Sequence, residues 1–135
     1  MVEFYGKIYI IKPKYGFFRV SEDLYLIQIF MFTIETGEKN TILRTKSEPL
    51  KMNEIAQYRA IGNDMVKFIR DPKNGAAGLA APQIGINKRF VAVSLLRSYS
   101  DEDFRSLLMI NPEILEHSEE KYIDDEGCLS IPGEE

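Results

Sequence analysis

Residues 53–70, NEIAQYRAIGNDMVKFIR, decide the fold. Apolar residues recur there at three- and four-residue spacing, which places them on one face of an α-helix. They are Ile55, Tyr58, Ile61, Met65, Phe68 and Ile69. Asn53 is a candidate N-cap, and the proline and glycine within residues 71–75 end the pattern near Arg70. The sequence therefore predicts an amphipathic helix over residues 54–70.

Two apolar segments that follow the helix predict buried strands. Residues 90–96 are apolar apart from Ser94, and residues 107–110 form a second run that Asn111-Pro112 closes. Residues 101–104, between the two runs, have the polar composition of a solvated loop. We expect the two strands to be part of the same core as the helix.

The front of the chain gives weaker signals. Aromatic and β-branched residues over 4–11 and 17–20 predict two strands about a turn at residues 12–16. The apolar run of residues 24–34 fits either a buried strand or part of a helix, because periodicity cannot separate these over so few residues. Residues 36–40 predict a turn.

Composition limits the class of protein. The chain has 135 residues, of which 44% are hydrophobic and 28% charged, as is typical of one globular domain. Its longest apolar run, residues 24–32, is less than half of the roughly twenty residues that span a membrane. Residues 1–15 carry no secretory signal, so we expect a cytoplasmic protein with no membrane span.

Charge and cysteine content exclude further classes. Residues 101–135 carry twelve acidic and two basic side chains, and the basic residues of the front half are dispersed, so we expect no direct nucleic-acid binding. The single cysteine, Cys128, cannot form an internal disulfide, which agrees with a reducing compartment.

A low-bulk segment, GAAGLAAPQIG, covers residues 75–85. Three glycines and four alanines would let another backbone or a ligand approach closely. Gln83 is its only polar side chain, and its carboxamide could donate hydrogen bonds to a carbonyl oxygen that gains negative charge. The alternative is a tightly packed loop in which Gln83 satisfies backbone groups.

A second segment, DEGCLSIPG, covers residues 125–133. The thiolate of Cys128 would be a strong ligand for zinc or ferrous iron, and the neighbouring glycine would let a substrate or metal come near the backbone. The alternative is that Cys128 is a small buried apolar residue.

Together the two segments resemble the first and second motifs of the peptide deformylases. Gly-Leu-Ala-Ala-Pro-Gln-Ile-Gly at residues 78–85 is followed some forty residues later by Glu-Gly-Cys-Leu-Ser at residues 126–130. Residues 42–50, ILRTKSEPL, are similar to the family's opening segment, and the resemblance extends from about Met31 onward. It implies a metalloenzyme that removes the formyl group from the initiator methionine of new bacterial polypeptides. The implied fold is α+β, with small antiparallel β-sheets packed on a helix.

The resemblance assigns roles to individual residues. Cys128 becomes one of three protein ligands to Fe²⁺ or Zn²⁺ in the complete enzyme. Gln83 and the backbone amide of Leu129 would hold the formyl oxygen as it becomes an oxyanion. The residues expected to contact the peptide or shape its site are Ala77, Gly78, Leu79, Glu126 and Gly127.

The sequence departs from the family in two ways. The third motif, His-Glu-x-x-His, which supplies two metal ligands and a general base, is absent. The only histidine, His117, lies in a polar stretch and is predicted to be solvent-exposed. We therefore expect this chain to bind no metal stably and to be inactive alone. The family usually has glycine at the position of Ala76, and we expect that methyl group to perturb the fit rather than the fold.

The two ends of the sequence predict an incomplete domain. Residues 1–30 match nothing in the family, and the family continues beyond the position of Glu135 into further strands and a metal-binding helix. We expect an N-terminal extension over residues 1–30 and an incomplete peptide-deformylase domain over residues 31–135, with Met31 as the natural start. Because that helix is missing, apolar core would be open to solvent and could drive self-association.

Three hypotheses follow. The first is a hydrolase fragment whose complete form acts on N-formylmethionyl peptides, in a family associated with ribosomes. The second is a non-catalytic binder of N-terminal peptides that has lost the metal site. A structural domain with no ligand ranks last.

Overall fold

The computed structural model describes residues 2–5, 10–13, 17–18, 32–95, 106–124 and 127–131. Their strands are β1 (Val2–Tyr5), β2 (Ile10–Pro13), β3 (Phe17–Phe18), β4 (Gly78–Ala80), β5 (Phe90–Ser94), β6 (Ser106–Ile110), β7 (Pro112–Glu116) and β8 (Lys121–Asp124). The helices are α1 (Thr41–Arg44) and α2 (Ile55–Arg70), and 3₁₀ turns cover Met52–Glu54, Pro72–Asn74 and Ala81–Ile84.

An antiparallel sheet with the strand order β3-β6-β5-β4 forms the centre of the fold. Strand β5 lies between β6, where Phe90 is opposite Ile110, and β4, where Val93 is opposite Gly78. Two further antiparallel pairs, β1 with β8 and β2 with β7, complete the strand pairing among the described residues. The predicted α+β fold with small antiparallel sheets is confirmed.

Helix α2 packs on this sheet through the apolar face that the sequence predicts. Met65 and Ile69 are fully buried, and the other predicted apolar residues of the helix lie against the same core. A Cβ atom on Gly62 would come within 2.5 Å of the Leu108 side chain, so the helix approaches β6 closely at this point. In the described part of the chain, no helix is long and apolar enough to cross a membrane.

The predicted N-cap of α2 is wrong. Asn53 lies inside the 3₁₀ turn Met52–Glu54, and the Lys51 backbone N–H donates to Glu54 Oε2 at 2.8 Å. The carboxylate of Glu54 therefore fixes the backbone at Lys51, two residues before Asn53, where the chain turns into the helix.

Lys88 connects the segment after the first motif to the start of α2. Its Nζ atom lies 3.1 Å from Glu54 Oε1 and 3.3 Å from Glu48 Oε2. The hydrogen bond from the Lys51 backbone, followed by the one from Lys88, lowers the pKa of Glu54 below its ordinary value. The hydrogen bond to Glu54 raises the pKa of Lys88, and the bond to Glu48 adds to this effect. Each charged group therefore favours the charged form of its partner.

Asn111 fixes the corner between β6 and β7. It is fully buried and has a φ of 51°, a left-handed conformation that asparagine tolerates better than most residues. Its side chain accepts a hydrogen bond from the Leu50 backbone N–H at 2.7 Å and donates one to the Leu50 carbonyl at 2.9 Å. Asn111 thus joins this corner to the segment that precedes α2.

The predictions for residues after α2 are largely confirmed. The strand predicted over 90–96 is β5, which ends at Ser94, and the strand predicted over 107–110 is β6. The loop predicted at residues 101–104 lies outside the described residues. The sequence did not predict β7 and β8, in which Ile114, Leu115 and Ile123 are exposed and give no core signal.

The predictions for the front of the chain need correction. The predicted turn over residues 12–16 is wrong at its start, because Lys12 and Pro13 belong to β2 and lie opposite Glu113 and Pro112. Proline is tolerated there because it occupies the end of an edge strand. The run predicted over 24–34 is described only from residue 32. Residues 32–34 form neither strand nor helix, although two of them, Phe32 and Ile34, pack against the core. The turn predicted at residues 36–40 is confirmed.

Candidate functional site

The first motif forms an edge strand followed by a tight turn. Strand β4 pairs with β5 on one side only among the described residues, and on its other side the Ala80 backbone N–H bonds to Gln83 Oε1 within the turn that follows. A Cβ atom on Gly78 would lie 3.4 Å from the Ala92 carbonyl oxygen, so this glycine permits close packing of the two strands. The 3₁₀ turn Ala81–Ile84 follows and ends at Gly85, whose φ of 80° is left-handed. Low side-chain bulk therefore serves both a strand contact and a turn.

Gln83 is oriented by its own turn. Its Oε1 accepts a hydrogen bond from the Ala80 backbone N–H at 2.9 Å. This bond fixes the carboxamide so that Nε2 faces the second motif, where it donates to Ser130 Oγ at 3.2 Å and lies 3.9 Å from Cys128 Sγ. The alternative in which Gln83 satisfies backbone groups is therefore correct for one end of the side chain, while the other end contacts the second motif.

The second motif forms a turn from Cys128 to Ile131, in which the Ile131 backbone N–H donates to the Cys128 carbonyl at 3.0 Å. Cys128 is exposed, so the alternative that it is a buried apolar residue is wrong. Leu129 is half-buried and packs against the core, and Ser130 is buried. The sequence separates Gln83 from this turn by more than forty positions, and only tertiary structure brings them together.

The remaining predicted site residues lie around these two motifs. Leu79 is buried in the core, whereas Ala77 is exposed, and the Ala77 carbonyl accepts a hydrogen bond from the Ser94 backbone at 2.8 Å. Gly127 is exposed and would have open space around a Cβ atom. Glu126 lies outside the described residues. Their roles toward a substrate stay predictions.

Sequence reasoning missed a segment that holds both motifs. The Glu35 backbone N–H donates to the Gln83 carbonyl at 2.8 Å, and the Gly37 backbone N–H donates to the Ser130 carbonyl at 3.0 Å. Asn40 steadies this segment, because its Nδ2 donates to Glu35 Oε2 at 2.7 Å. The contacts to the motifs use main-chain atoms, so no residue type marks them, and the predicted turn at residues 36–40 was the one available signal.

The described residues do not form a complete metal centre. Within that part of the chain, no three side chains of His, Cys, Asp or Glu come together in a group that could hold a metal ion. His117 is exposed, as predicted, and its Nδ1 lies 3.0 Å from the Ser118 carbonyl oxygen. An exposed thiol at Cys128 offers one ligand, whereas a catalytic zinc site uses three protein ligands.

Ala76 occupies the position at which the family usually has glycine. Its side chain is 3% exposed and is part of the hydrophobic core. The methyl group therefore lies in the interior. Its effect on the fit of a substrate stays a prediction.

Comparison with known proteins gives the family. The model of the polypeptide deformylase family matches residues 31–135. The peptide deformylase of Acidobacterium capsulatum is 39% identical over 92 residues, which are 67% of this chain and 50% of that protein. The peptide deformylase of Finegoldia magna is 40% identical over 96 residues, covering 71% of this chain and 54% of that protein. The chain thus spans about half the length of these relatives.

Solved structures agree with the sequence comparison. A probable peptide deformylase from Synechococcus phage S-SSM7 superimposes with a TM-score of 0.62 at 35% identity, covering 76% of this chain and 66% of that one. The Met-Ala-Ser-bound class I type b peptide deformylase of Acinetobacter baumannii gives a TM-score of 0.64 at 30% identity with the same coverage. Sequence, fold and the adjacent Gln83 and Cys128 lead to one conclusion, that the chain belongs to the polypeptide deformylase family, whose members are metal-dependent hydrolases.

Proposed function

We propose that this chain carries the substrate-facing part of a peptide deformylase and is inactive alone. The reaction of the complete enzyme would be hydrolytic removal of the formyl group from the initiator methionine of nascent polypeptides. The observation that carries the proposal is the orientation of Gln83, whose Oε1 is held by Ala80 so that Nε2 is directed at the thiol of Cys128.

Gln83 and Leu129 would stabilise the reacting carbonyl. Hydrolysis adds water across the formyl C–N bond and releases formate and the free amine, and the formyl oxygen gains negative charge on the way. Gln83 Nε2 is a preoriented donor for such an oxygen. The Leu129 backbone N–H would be the second donor, and it has no acceptor among the described residues. Two donors from different motifs would then converge on one oxygen.

Cys128 would be one ligand to Fe²⁺ or Zn²⁺ in the complete enzyme. The thiol is exposed and lies beside the Gln83 amide, where a metal and a formyl group could be neighbours. Because the described residues provide no group of three ligands, we expect this chain to hold neither ion stably.

The open edge of β4 is the proposed place for the peptide main chain. An extended peptide can add to an unpaired strand edge through main-chain hydrogen bonds. Gly78 lies in that strand between Ala77 and Leu79, the residues expected to contact the peptide. Glu126 and Gly127 would shape the site on the other side. The Acinetobacter baumannii relative is described with Met-Ala-Ser bound, which supports a short N-terminal peptide as the ligand here.

Cellular context follows from this substrate. Nascent N-formylmethionyl chains emerge at ribosomes, so we propose a cytoplasmic protein that acts near ribosomes, with no direct binding to nucleic acid and no membrane partner. Large apolar side chains are exposed at Leu95, Ile114, Leu115, Ile123 and Ile131. We propose that these exposed side chains favour self-association at high concentration.

The second candidate is a non-catalytic binder of N-terminal peptides. The observation that favours it is the absence of His-Glu-x-x-His from the sequence, while the Gln83–Cys128 arrangement is present. Sequencing the DNA beyond the codon for Glu135 separates the two candidates. An encoded His-Glu-x-x-His within about sixty codons, more than the roughly 35 residues that two strands, a helix and their connections take, favours the hydrolase, whereas a genuine stop favours the binder.

Peptide binding tests the proposal directly. Calorimetric titration with formyl-Met-Ala-Ser and with Met-Ala-Ser should show preference for the formylated peptide. The variant Gln83→Glu keeps an oxygen to accept from Ala80 but loses the amide donor. We expect it to bind the formylated peptide about tenfold more weakly, which corresponds to one lost hydrogen bond.

The controls distinguish loss of the donor from loss of the fold. Circular dichroism of Gln83→Glu should match the unchanged chain, and its affinity for Met-Ala-Ser should change little. Equal affinity of both proteins for the formylated peptide would contradict the role of Gln83. Formate release by the unchanged chain with added Fe²⁺ or Zn²⁺ would contradict the expectation that it is inactive alone.

A further inference from the structure

The front strands of the chain pair with the family domain although they lie outside the family match. That match begins at residue 31, whereas β1, β2 and β3 all precede residue 19. In chain order they pair antiparallel with β8, β7 and β6. Three strands outside the family region therefore border three consecutive strands inside it.

Strand β3 converts β6 from an edge strand into an interior strand. Phe17 lies opposite Met109, and Phe18 lies opposite Leu108. Without β3, β6 would form the border of the central sheet, with its main-chain donors and acceptors unpaired beside fully buried Leu108. A bare edge next to an apolar core is a site for pairing with another chain.

Strands β7 and β8 depend still more on the front strands. Within the described ranges, β7 pairs with β2 alone and β8 pairs with β1 alone. Both carry exposed apolar side chains, with Ile114 64%, Leu115 57% and Ile123 65% exposed. Strands with free edges and exposed apolar side chains associate readily with copies of themselves.

We propose that β1, β2 and β3 are an edge cover for this deformylase-family domain, and that they occupy one edge each of β8, β7 and β6. They prevent those edges from pairing with a second copy of the chain. Strand β8 ends at Asp124, shortly before Cys128, so the cover also holds the strand that leads into the second motif.

A deletion tests this proposal without reference to peptide binding. The full chain and a variant that begins at Met31 are compared by sedimentation velocity and by amide hydrogen exchange. We expect the shortened variant to associate at concentrations at which the full chain does not, and its β7 and β8 amides to lose protection. The proposal would be overturned if the shortened variant associated no more than the full chain and its β6, β7 and β8 amides kept their protection from exchange.

A double substitution in the full chain tests the proposal even if the shortened chain does not fold. In the full chain, Glu3→Pro with Phe4→Pro removes two consecutive N–H groups, one of which faces β8 in an antiparallel pair. We expect β8 amides to exchange about tenfold faster or more, with β5 amides unchanged. The control, Glu3→Thr with Phe4→Val, keeps both amides and should match the unchanged chain. Equal β8 exchange in the two double variants would also overturn the proposal.

Discussion

The two motifs differ in how the fold holds them. The first motif is part of the core, with Leu79 1% and Ala81 0% exposed. The second follows strand β8 on the surface, where Ile123 is 65% and Ile131 59% exposed, and it is attached to the rest mainly through Leu129 and Ser130. The comparison teaches that one half of the candidate site is built into the core, whereas the described residues of the other are held by one packed side chain and a small number of hydrogen bonds.

The largest expected effect is on the free energy of unfolding, and two matched substitutions by alanine test this contrast. Leu79→Ala removes a fully buried side chain and should lower the free energy of unfolding by about 2–5 kcal/mol. Ile131→Ala removes a similar volume at an exposed position and should change it by about 0.5 kcal/mol or less. Urea denaturation of both variants measures the difference. Similar losses in the two would show that the second motif is packed as firmly as the first.

Asn111 lies at the boundary between the packed sheet and β7, and its replacement should have the next largest effect. Asn111→Ala leaves the Leu50 backbone N–H and carbonyl without partners and places alanine at positive φ. We expect a loss of about 3 kcal/mol in the free energy of unfolding.

Asn111→Gly is the control for the backbone conformation. It loses the same hydrogen bonds but accepts the left-handed φ, so it should be about 1 kcal/mol more stable than Asn111→Ala. Urea denaturation compares the two. If glycine fully restored stability, the hydrogen bonds to Leu50 would contribute nothing.

The smallest expected effect concerns the charged groups that tie the end of the first motif to α2, and it depends on pH. Because folding lowers the pKa of Glu54, its contribution is present above the ordinary value of 4.5 and is lost as pH falls through the lowered value. Because folding raises the pKa of Lys88, its contribution is present below the ordinary value of 10.5 and is lost as pH rises through the raised value.

Glu54→Gln should therefore be less stable than the unchanged chain between these two ordinary pKa values, with the difference vanishing in acid. Urea midpoints measured as a function of pH give this difference. Glu48→Gln is the matched control, because Glu48 also contacts Lys88 but its side chain is 68% exposed. A pH-independent difference for Glu54→Gln would show that its ionisation does not stabilise the fold.

The sequence predicted elements whose side chains carry a repeating pattern. Helix α2 and strands β5 and β6 have continuous or periodic apolar residues, and all three were found close to their predicted ranges. Strands β7 and β8 escaped prediction because Ile114, Leu115 and Ile123 face solvent and lie among charged residues in the sequence. Asn53 failed as a cap because the chain already turns over Met52–Glu54, which places Asn53 inside the 3₁₀ turn rather than before the first helical turn.

Within the candidate site, residue types predicted the participants but not their arrangement. Gln83 and Cys128 stood out as the polar group of a low-bulk segment and the single thiol of the chain. The contacts of Glu35 and Gly37 could not be recognised in the sequence, because they use backbone amides that every residue except proline has. The division into an extension over residues 1–30 and a domain over residues 31–135 stays a prediction.

By itself, the sequence determined the family, the principal helix and the chemistry available at the two motifs, because these depend on residue identity and on spacing along the chain. Only the tertiary structure decided that Gln83 turns its amide toward Cys128, that Ser130 is buried and accepts from Gln83, and that the front strands border β6, β7 and β8. These contacts join residues far apart in sequence through main-chain and single side-chain hydrogen bonds, which leave no periodic pattern in the chain.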